Sequence, residues 1–319
     1  MRHDASARNP AKVRYLFADI DIVTSIAPPI NYKQKALSSL SVLPPLSPVL
    51  NRLLASLAKD DLSFAQLAAL IEKDTVLAGN VLKTVNSALY SCSGTISSVN
   101  HAIAIMGLTK LRNTALSFSV NRMWNNIRTP RGWSMSRFNS HSVATAMMAD
   151  KIVERVAVEY AEGAFIGGLL HDIGKLLIAI ALVDQYENII RMTEALQPGD
   201  VRTAEDCETE FLGVNHCELS AAALENWKLP NPIRLAVLHH HQPNSVPKEL
   251  AGGCQFHLAD IIHAADETVK ELGITSGLPR KDYVVPSVHP ALVDLGLADQ
   301  APKLVADFLT EFEAIRKLV

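Results

Sequence analysis

A histidine and an aspartate stand side by side inside an apolar run, GGLLHDIGKLLI, residues 167–178. Burying an unpartnered polar group costs on the order of 2–7 kcal/mol, and an ionised carboxylate more. His171 and Asp172 must therefore meet a compensating group, and a divalent cation satisfies both. Imidazole together with carboxylate suits Fe, Mn, Zn or Ni. On a continuous helix adjacent side chains diverge by about 100°. The pair is thus expected to flank a site from one helix wall, with Asp172 bridging.

Other segments must complete such a site. The chain holds 11 histidines, most of them between His141 and His263. The candidates are His141 in FNSHSVATA, His216 in GVNHCELSAA, His239, His240 and His241 in LAVLHHHQP, and Asp260 in HLADIIHAAD. Gly167, Gly168 and Gly174 would let a neighbouring helix come close. Three consecutive histidines cannot all face one point, so His240 and His241 are preferred and His239 ranks behind them. His101, His257, His263 and His289 read as packing or capping residues. Leu169, Leu170, Ile173, Leu176, Leu177 and Ile180 read as core.

The elements that must position these groups are helical almost throughout. In residues 47–59, Val49, Leu50, Leu53, Leu54 and Leu57 share one face at i, i+3, i+4 spacing. Ser63 with Gln66 fits a capping box opening the next helix. Ser98 can cap a helix that stops at Gly107. Helices are further expected over 137–158, 162–182, 185–197, 203–212, 216–227, 231–240, 250–270 and 300–318. The 162–182 helix is expected to be continuous and central. Period-2 runs joined by turn dipeptides are missing, which weighs against a sheet. Tyr283, Val284 and Val285 read as a short extended piece. Thr129-Pro130-Arg131-Gly132 marks the best internal boundary, with Trp124 and Trp133 on either side.

Composition narrows the function. In 319 residues, 30 Lys+Arg against 33 Asp+Glu give a net charge of −3, without the basic footprint of a nucleic-acid binder. The longest unbroken apolar stretch runs from Leu176 to Val183, far short of the roughly 20 residues of a membrane span. The N-terminus shows no apolar signal region. Cys92, Cys207, Cys217 and Cys254 share no CxxC spacing, which excludes a zinc ribbon and fits a reducing compartment. The expectation is a soluble cytoplasmic chain that engages neither nucleic acid nor membrane.

The order His141, His171-Asp172, Asp260 resembles the H…HD…D ligand set of the HD superfamily of metal-dependent phosphohydrolases. His216 and the His240-His241 pair resemble the longer set of its HD-GYP branch, the cyclic-di-GMP phosphodiesterases. The chain departs from that branch in reading HQPNSVPKEL after the histidine run, with Gln242 in place of Glu and no GYP element. Over its length it most resembles an HDOD domain protein. The segments that carry this are LPPLSPVLNRLL, LIEKDTVLAGNVLKTVNSALYS, SVNHAIAIMGLTKLRN, FIGGLLHDIGKLLI, HCELSAAALENWKLP and LHHHQP, in order over 43–265.

That resemblance implies an all-α fold, an N-terminal helical bundle (36–125) packed on an HD-like half (137–265). Residues 1–35 would form an extension and 266–319 a C-terminal loop and helix. Within VNSALYS, Asn86 and Tyr90 belong to the family pattern and are expected to cap and pack. HDOD domains are modules of bacterial signalling proteins, usually without demonstrated catalysis, so a signalling partner protein is implied. The retained ligands imply one or two metal ions. His141, His171, Asp172 and Asp260 would hold the first. Asp172 would bridge to a second, held by His216, His240 and His241. Asp172 and Lys175 would then serve phosphoester hydrolysis of a nucleotide or other phosphorylated small molecule, Lys175 by offsetting phosphoryl charge. The alternatives are a signalling module with a structural metal and a scaffold with an empty pocket.

Overall fold

Side-chain caps start half of the sixteen α-helices among the described residues. The computed structural model describes residues 31–317, apart from 57–62, 91–93, 125–126, 195–202, 248–251 and 278–288. The first thirty residues, Cys92 and the Tyr283–Val285 run thus lie outside the described residues. The N-terminal bundle comprises α1 (Tyr32–Ser38), α2 (Pro48–Ala55), α3 (Phe64–Glu72), α4 (Thr75–Val85), α5 (Val99–Met106) and α6 (Leu108–Trp124). Helix α1 begins inside the stretch expected to be an extension.

Ser63 and Gln66 form the expected capping box at α3, each side chain bonding the other's backbone amide. Asp74 caps α4 by accepting from the amides of Val76 and Leu77, both at 3.1 Å. Asn86 closes the other end of α4. Its amide nitrogen donates to Leu82 O at 2.7 Å and Ile96 O at 2.8 Å, and its Oδ1 accepts from Ile96 N at 2.8 Å. That residue therefore ties the α4 terminus to the segment that leads into α5. Gly107, at φ 83°, ends α5 and turns the chain into α6.

The second half builds α7 (Met135–Val153), α8 (Ala164–Leu170), α9 (Ile173–Ala181), α10 (Val183–Glu194), α11 (Ala204–Leu212), α12 (His216–Asn226), α13 (Asn231–Leu238), α14 (Leu258–Glu271), α15 (Pro290–Asp294) and α16 (Ala301–Arg316). Among the described residues the nearest thing to sheet is one isolated bridge, Val158 to Phe256. Residue 265, expected as a boundary, falls within α14. Helix α7 is the axle, packed by α8, α14 and α16. Its Ala144, Ala146 and Ala149 are fully buried. Their small side chains let α8 approach so closely that a Cβ on Gly168 would lie 2.9 Å from the Ala146 Cα.

One expectation fails in a useful way. Residues 162–182 are not one helix but two, α8 and α9, broken at His171-Asp172. The run Ala161–Ala181 is long and apolar enough to cross a membrane by composition, and 83% of its most apolar window is buried inside the fold. Ile173, Leu176, Leu177 and Ile178 of α9 are each at most 2% exposed, worth about 1.5–3 kcal/mol apiece in buried apolar surface. The break is sustained by α12. Gly174 N donates to Ser220 Oγ at 2.8 Å, so an amide in the first turn of α9 is satisfied from outside. Asp172 occupies the N-cap position of α9 without making a capping bond.

Trp124, 1% exposed, packs in a tilted pair with Trp227, ring centroids 6.1 Å apart, and so ties α6 to the end of α12. Lys110 of α6 and Lys151 of α7 both reach Glu311 of α16, at 3.0 and 2.9 Å. Beside them Asp150 accepts from Asn113 Nδ2 at 3.1 Å. Burial, seconded by Glu154, pushes its carboxyl up to about 6. A carboxyl raised on folding binds its proton more tightly in the native state, so it lowers stability as pH rises through 4 to 6. Asp150→Asn is therefore expected to raise unfolding stability by roughly 1–2 kcal/mol at neutral pH and to change it little at pH 4. Urea titrations at both pH values read this out. A Cβ on Gly174 would lie 2.0 Å from the His216 carbonyl oxygen. Gly174→Ala must then push α9 from α12, at a cost of about 1–3 kcal/mol or more, seen as a lowered denaturation midpoint.

Candidate metal centre

The helix break decides the geometry of the site. It lets adjacent residues point the same way, so His171 Nε2 lies 3.5 Å from Asp172 Oδ2. Helix α7 brings in His141, whose Nε2 is 3.5 Å from the same oxygen. Helix α14 contributes Asp266, with Oδ1 3.2 Å from His141 Nε2 and 3.6 Å from His171 Nε2. On the other side of Asp172, Oδ1 faces His216 Nε2 at 3.5 Å and His240 Nε2 at 3.9 Å. His241 Nε2 lies 3.2 Å from His216 Nε2. His141, His171, Asp172, His216, His240 and Asp266 are all fully buried.

The second aspartate is Asp266, not Asp260. Asp260 sits at the start of α14 and its Oδ2 accepts from His257 N at 2.7 Å, completing a capping box. Six residues on, Asp266 lies with Ile262, Ala265 and Val269 on the buried face of α14. A carboxylate embedded in that i, i+3, i+4, i+7 stripe was the available signal. The sequence also left unmarked three groups around His216. Glu208 Oε2 is 2.7 Å from His216 Nδ1, Glu205 Oε1 is 3.0 Å from His241 Nε2, and Cys217 Sγ is 3.5 Å from His216 Nε2. His239 turns away and meets Ser245 Oγ at 2.6 Å.

The donor set fits a cation. His141, His171 and His240 each direct Nδ1 at a backbone carbonyl, of Ile274 (2.9 Å), Gly168 (2.7 Å) and Val237 (2.7 Å). His216 directs Nδ1 at the Glu208 carboxylate. Such acceptors orient each ring through Nδ1 and leave Nε2 facing inward, the arrangement found around metal-binding imidazoles. Nε2 of His141, His171 and His240, with Asp172 Oδ1 and Asp266 Oδ1, are buried without a well-formed hydrogen bond. Donors bound at about 2.0–2.3 Å to one ion lie within about 4.6 Å of each other, and the separations above satisfy that. His141, His171 and Asp266 form one such group, and His171, Asp172 and His240 another. His216, Cys217, His240 and His241 make a third.

Two lysines balance the carboxylates. Lys175 Nζ is 2.7 Å from Asp172 Oδ2, and Lys270 Nζ is 2.7 Å from Asp266 Oδ2. Burial alone would raise Asp172, but His171 and Lys175 hold its carboxyl well below the usual range. Asp266 is likewise held down against burial, by Lys270 and His141. Burial would lower His141, yet Asp172 and Asp266 raise it to about 9. His240, buried among other imidazoles, is pushed well down. A cleft of about 640 Å³ opens beside the centre, lined by Lys175, Lys270, Glu205, His241, Trp133 and Tyr186 among others.

A family model for the HDOD domain matches residues 43–243, more than half of the chain. The chain belongs to the HDOD domain family. An HDOD domain protein of unknown function from Geobacter sulfurreducens is 24% identical, with TM-score 0.67 over 89% of this chain and 97% of that one. A candidate phosphohydrolase from Shewanella amazonensis SB2B is 20% identical, with TM-score 0.67 over 89% and 98%. A candidate signal transduction protein from Marinobacter aquaeolei VT8 is 19% identical, with TM-score 0.67 over 90% and 65%. At these identities the likeness establishes the all-α HDOD fold. An uncharacterized protein of Treponema pallidum is 25% identical over 209 residues, which are 65% of this chain and 39% of that protein. The HDOD chain thus spans about two fifths of that relative.

The two aspartates of α14 separate a candidate ligand from a cap. Asp266→Asn is expected to lower metal affinity at least tenfold, whereas Asp260→Asn leaves it intact and costs about 0.5–2 kcal/mol of stability. Metal titration followed by calorimetry, paired with thermal unfolding, distinguishes them. The reverse pattern would restore Asp260 to the site.

Proposed function

We propose that this HDOD chain is a signal-transduction module built on a divalent metal centre, whose adjoining cleft receives a phosphorylated small molecule or nucleotide. The observation that carries this reading is the convergence of inward-facing Nε2 atoms on both sides of the buried Asp172 carboxylate. In the proposal His141, His171, Asp172 and Asp266 hold one cation, and Asp172 is shared with His216, His240 and His241. Glu208 orients His216 from behind. Fe, Mn, Zn and Ni suit such nitrogen and carboxylate donors. When bound, the cation would polarise phosphoryl oxygens and lower the pKa of a coordinated water.

The remaining work falls to the chain's own side chains. Lys175 and Lys270 sit between the carboxylates and the cleft. With a cation held by Asp172 and Asp266, both ammonium groups would be available to neutralise a phosphoryl group. Trp133 and Tyr186, with ring centroids 5.8 Å apart, give the cleft an aromatic wall. Output would pass to a separate signalling protein. A second reading, metal-dependent phosphoester hydrolysis, is favoured by the opening of the cleft directly beside the donor set.

Metal analysis of untagged protein is expected to give on the order of one or two ions per chain, lost in His171→Ala and Asp172→Ala. Wild-type content below about a tenth of an ion per chain would sink the proposal. The Mn- or Fe-loaded protein is then assayed on nucleoside phosphates and cyclic dinucleotides. Turnover abolished by both substitutions selects hydrolysis. Full occupancy with binding but no turnover selects the signalling module.

A further inference from the structure

Cys217 is a buried nucleophilic group that the proposed function leaves without a role. It is 4% exposed and follows His216 in the first turn of α12. Its Sγ lies 3.5 Å from His216 Nε2. One donor atom from each of His216, Cys217, His240 and His241 lies within 4.8 Å of the other three. Among the described residues no other cysteine enters a cluster of this kind.

The spacing fits a shell around one ion. In a four-coordinate site, bonds of about 2.0–2.1 Å to nitrogen and about 2.3 Å to sulfur set nitrogens about 3.4 Å apart and sulfur about 3.6 Å from nitrogen. His216 Nε2 and His241 Nε2 are 3.2 Å apart, and Cys217 Sγ is 3.5 Å from the former. His240 adds an independent sign. Its ring is fully buried and held through Nδ1 by Val237 O, yet its Nε2 has no hydrogen-bond partner. A thiol that merely donated to His216 would leave that nitrogen unmatched, and an unmatched buried polar atom is costly.

The two sides of Asp172 then differ in chemistry. Around Oδ2 stand His141, His171 and Asp266, which offer nitrogen and oxygen alone. The Oδ1 side adds a sulfur. Thiolate favours softer ions such as zinc, whereas carboxylate and water suit manganese. Glu205 and His241 line the cleft, so an ion has a path to this side. Resting on the metal-centre reading above, we propose that Cys217 is a thiolate ligand of the second cation and makes that half of the centre select zinc over manganese. The thiol proton passes to solvent as the ion binds.

Zinc-edge X-ray absorption of the untagged full chain, stripped with chelator and reloaded with zinc, tests this. A sulfur neighbour at about 2.3 Å is expected in wild type and in Cys254→Ser. Cys217→Ser should remove it. The same substitution should weaken zinc binding at one subsite at least tenfold while changing manganese binding less than about threefold. A cysteine that only packs would lower both affinities alike. The wild-type spectrum decides the matter even if Cys217→Ser fails to fold. The proposal is overturned if zinc-loaded wild type shows no sulfur neighbour, if that neighbour vanishes in Cys254→Ser or persists in Cys217→Ser, or if zinc and manganese weaken equally. Bound zinc without sulfur would refute the thiolate alone, whereas no bound zinc at all would refute the metal-centre reading with it.

Discussion

The fold depends on one constraint, the complete burial of the Asp172 carboxylate between two groups of imidazoles. A carboxylate with no solvent access is tolerated only where opposite charge and directed donors surround it. Lys175 meets it at 2.7 Å, and His141, His171 and His216 stand at 3.5 Å. Asp266 repeats the problem one helix away and is met in the same way by Lys270. The helix break at His171-Asp172, the glycine contact of α9 on α12 and the Ser220 bond to Gly174 all serve to bring these groups together.

The same constraint shapes the surroundings. Four of the inward-facing imidazoles are anchored from behind, three by carbonyls and His216 by Glu208. The anchors remove rotational freedom from the rings before anything binds, so little ordering cost remains. Helix α7 has a double position. His141 faces the histidine–aspartate cluster, while Asn139, two residues earlier and turned by about 200°, lines a cavity shared with α4 and α6. One nearly buried helix thus forms a wall of both.

Much of the architecture was legible because caps and apolar spacing are local. Ser63 with Gln66, Ser98 and the Gly107 stop each act within a few residues, and the structure reproduces them. His171 and Asp172 were legible because a charged pair within an apolar run demands an explanation. The break between them was not. Residues 163–182 are apolar around that pair apart from Lys175, and nothing local distinguishes a continuous helix from two that meet there. Glu205, Glu208 and Cys217 were missed because their importance comes only from α11 and α12 lying beside the histidine run.

By itself the sequence determined the helical class, most helix starts, and the residue types able to bind a cation. Those properties follow from backbone hydrogen bonding and side-chain chemistry within one or two turns. Only the tertiary structure decided which carboxylate of α14 enters the site. Asp260 and Asp266 are equally acidic and sit on one helix six residues apart. The choice falls to Asp266 because its face is covered by neighbouring helices and Asp260 lies in the first turn, where a free backbone amide claims it. A carboxylate joins such a cluster through what packs over it, and that information is not local.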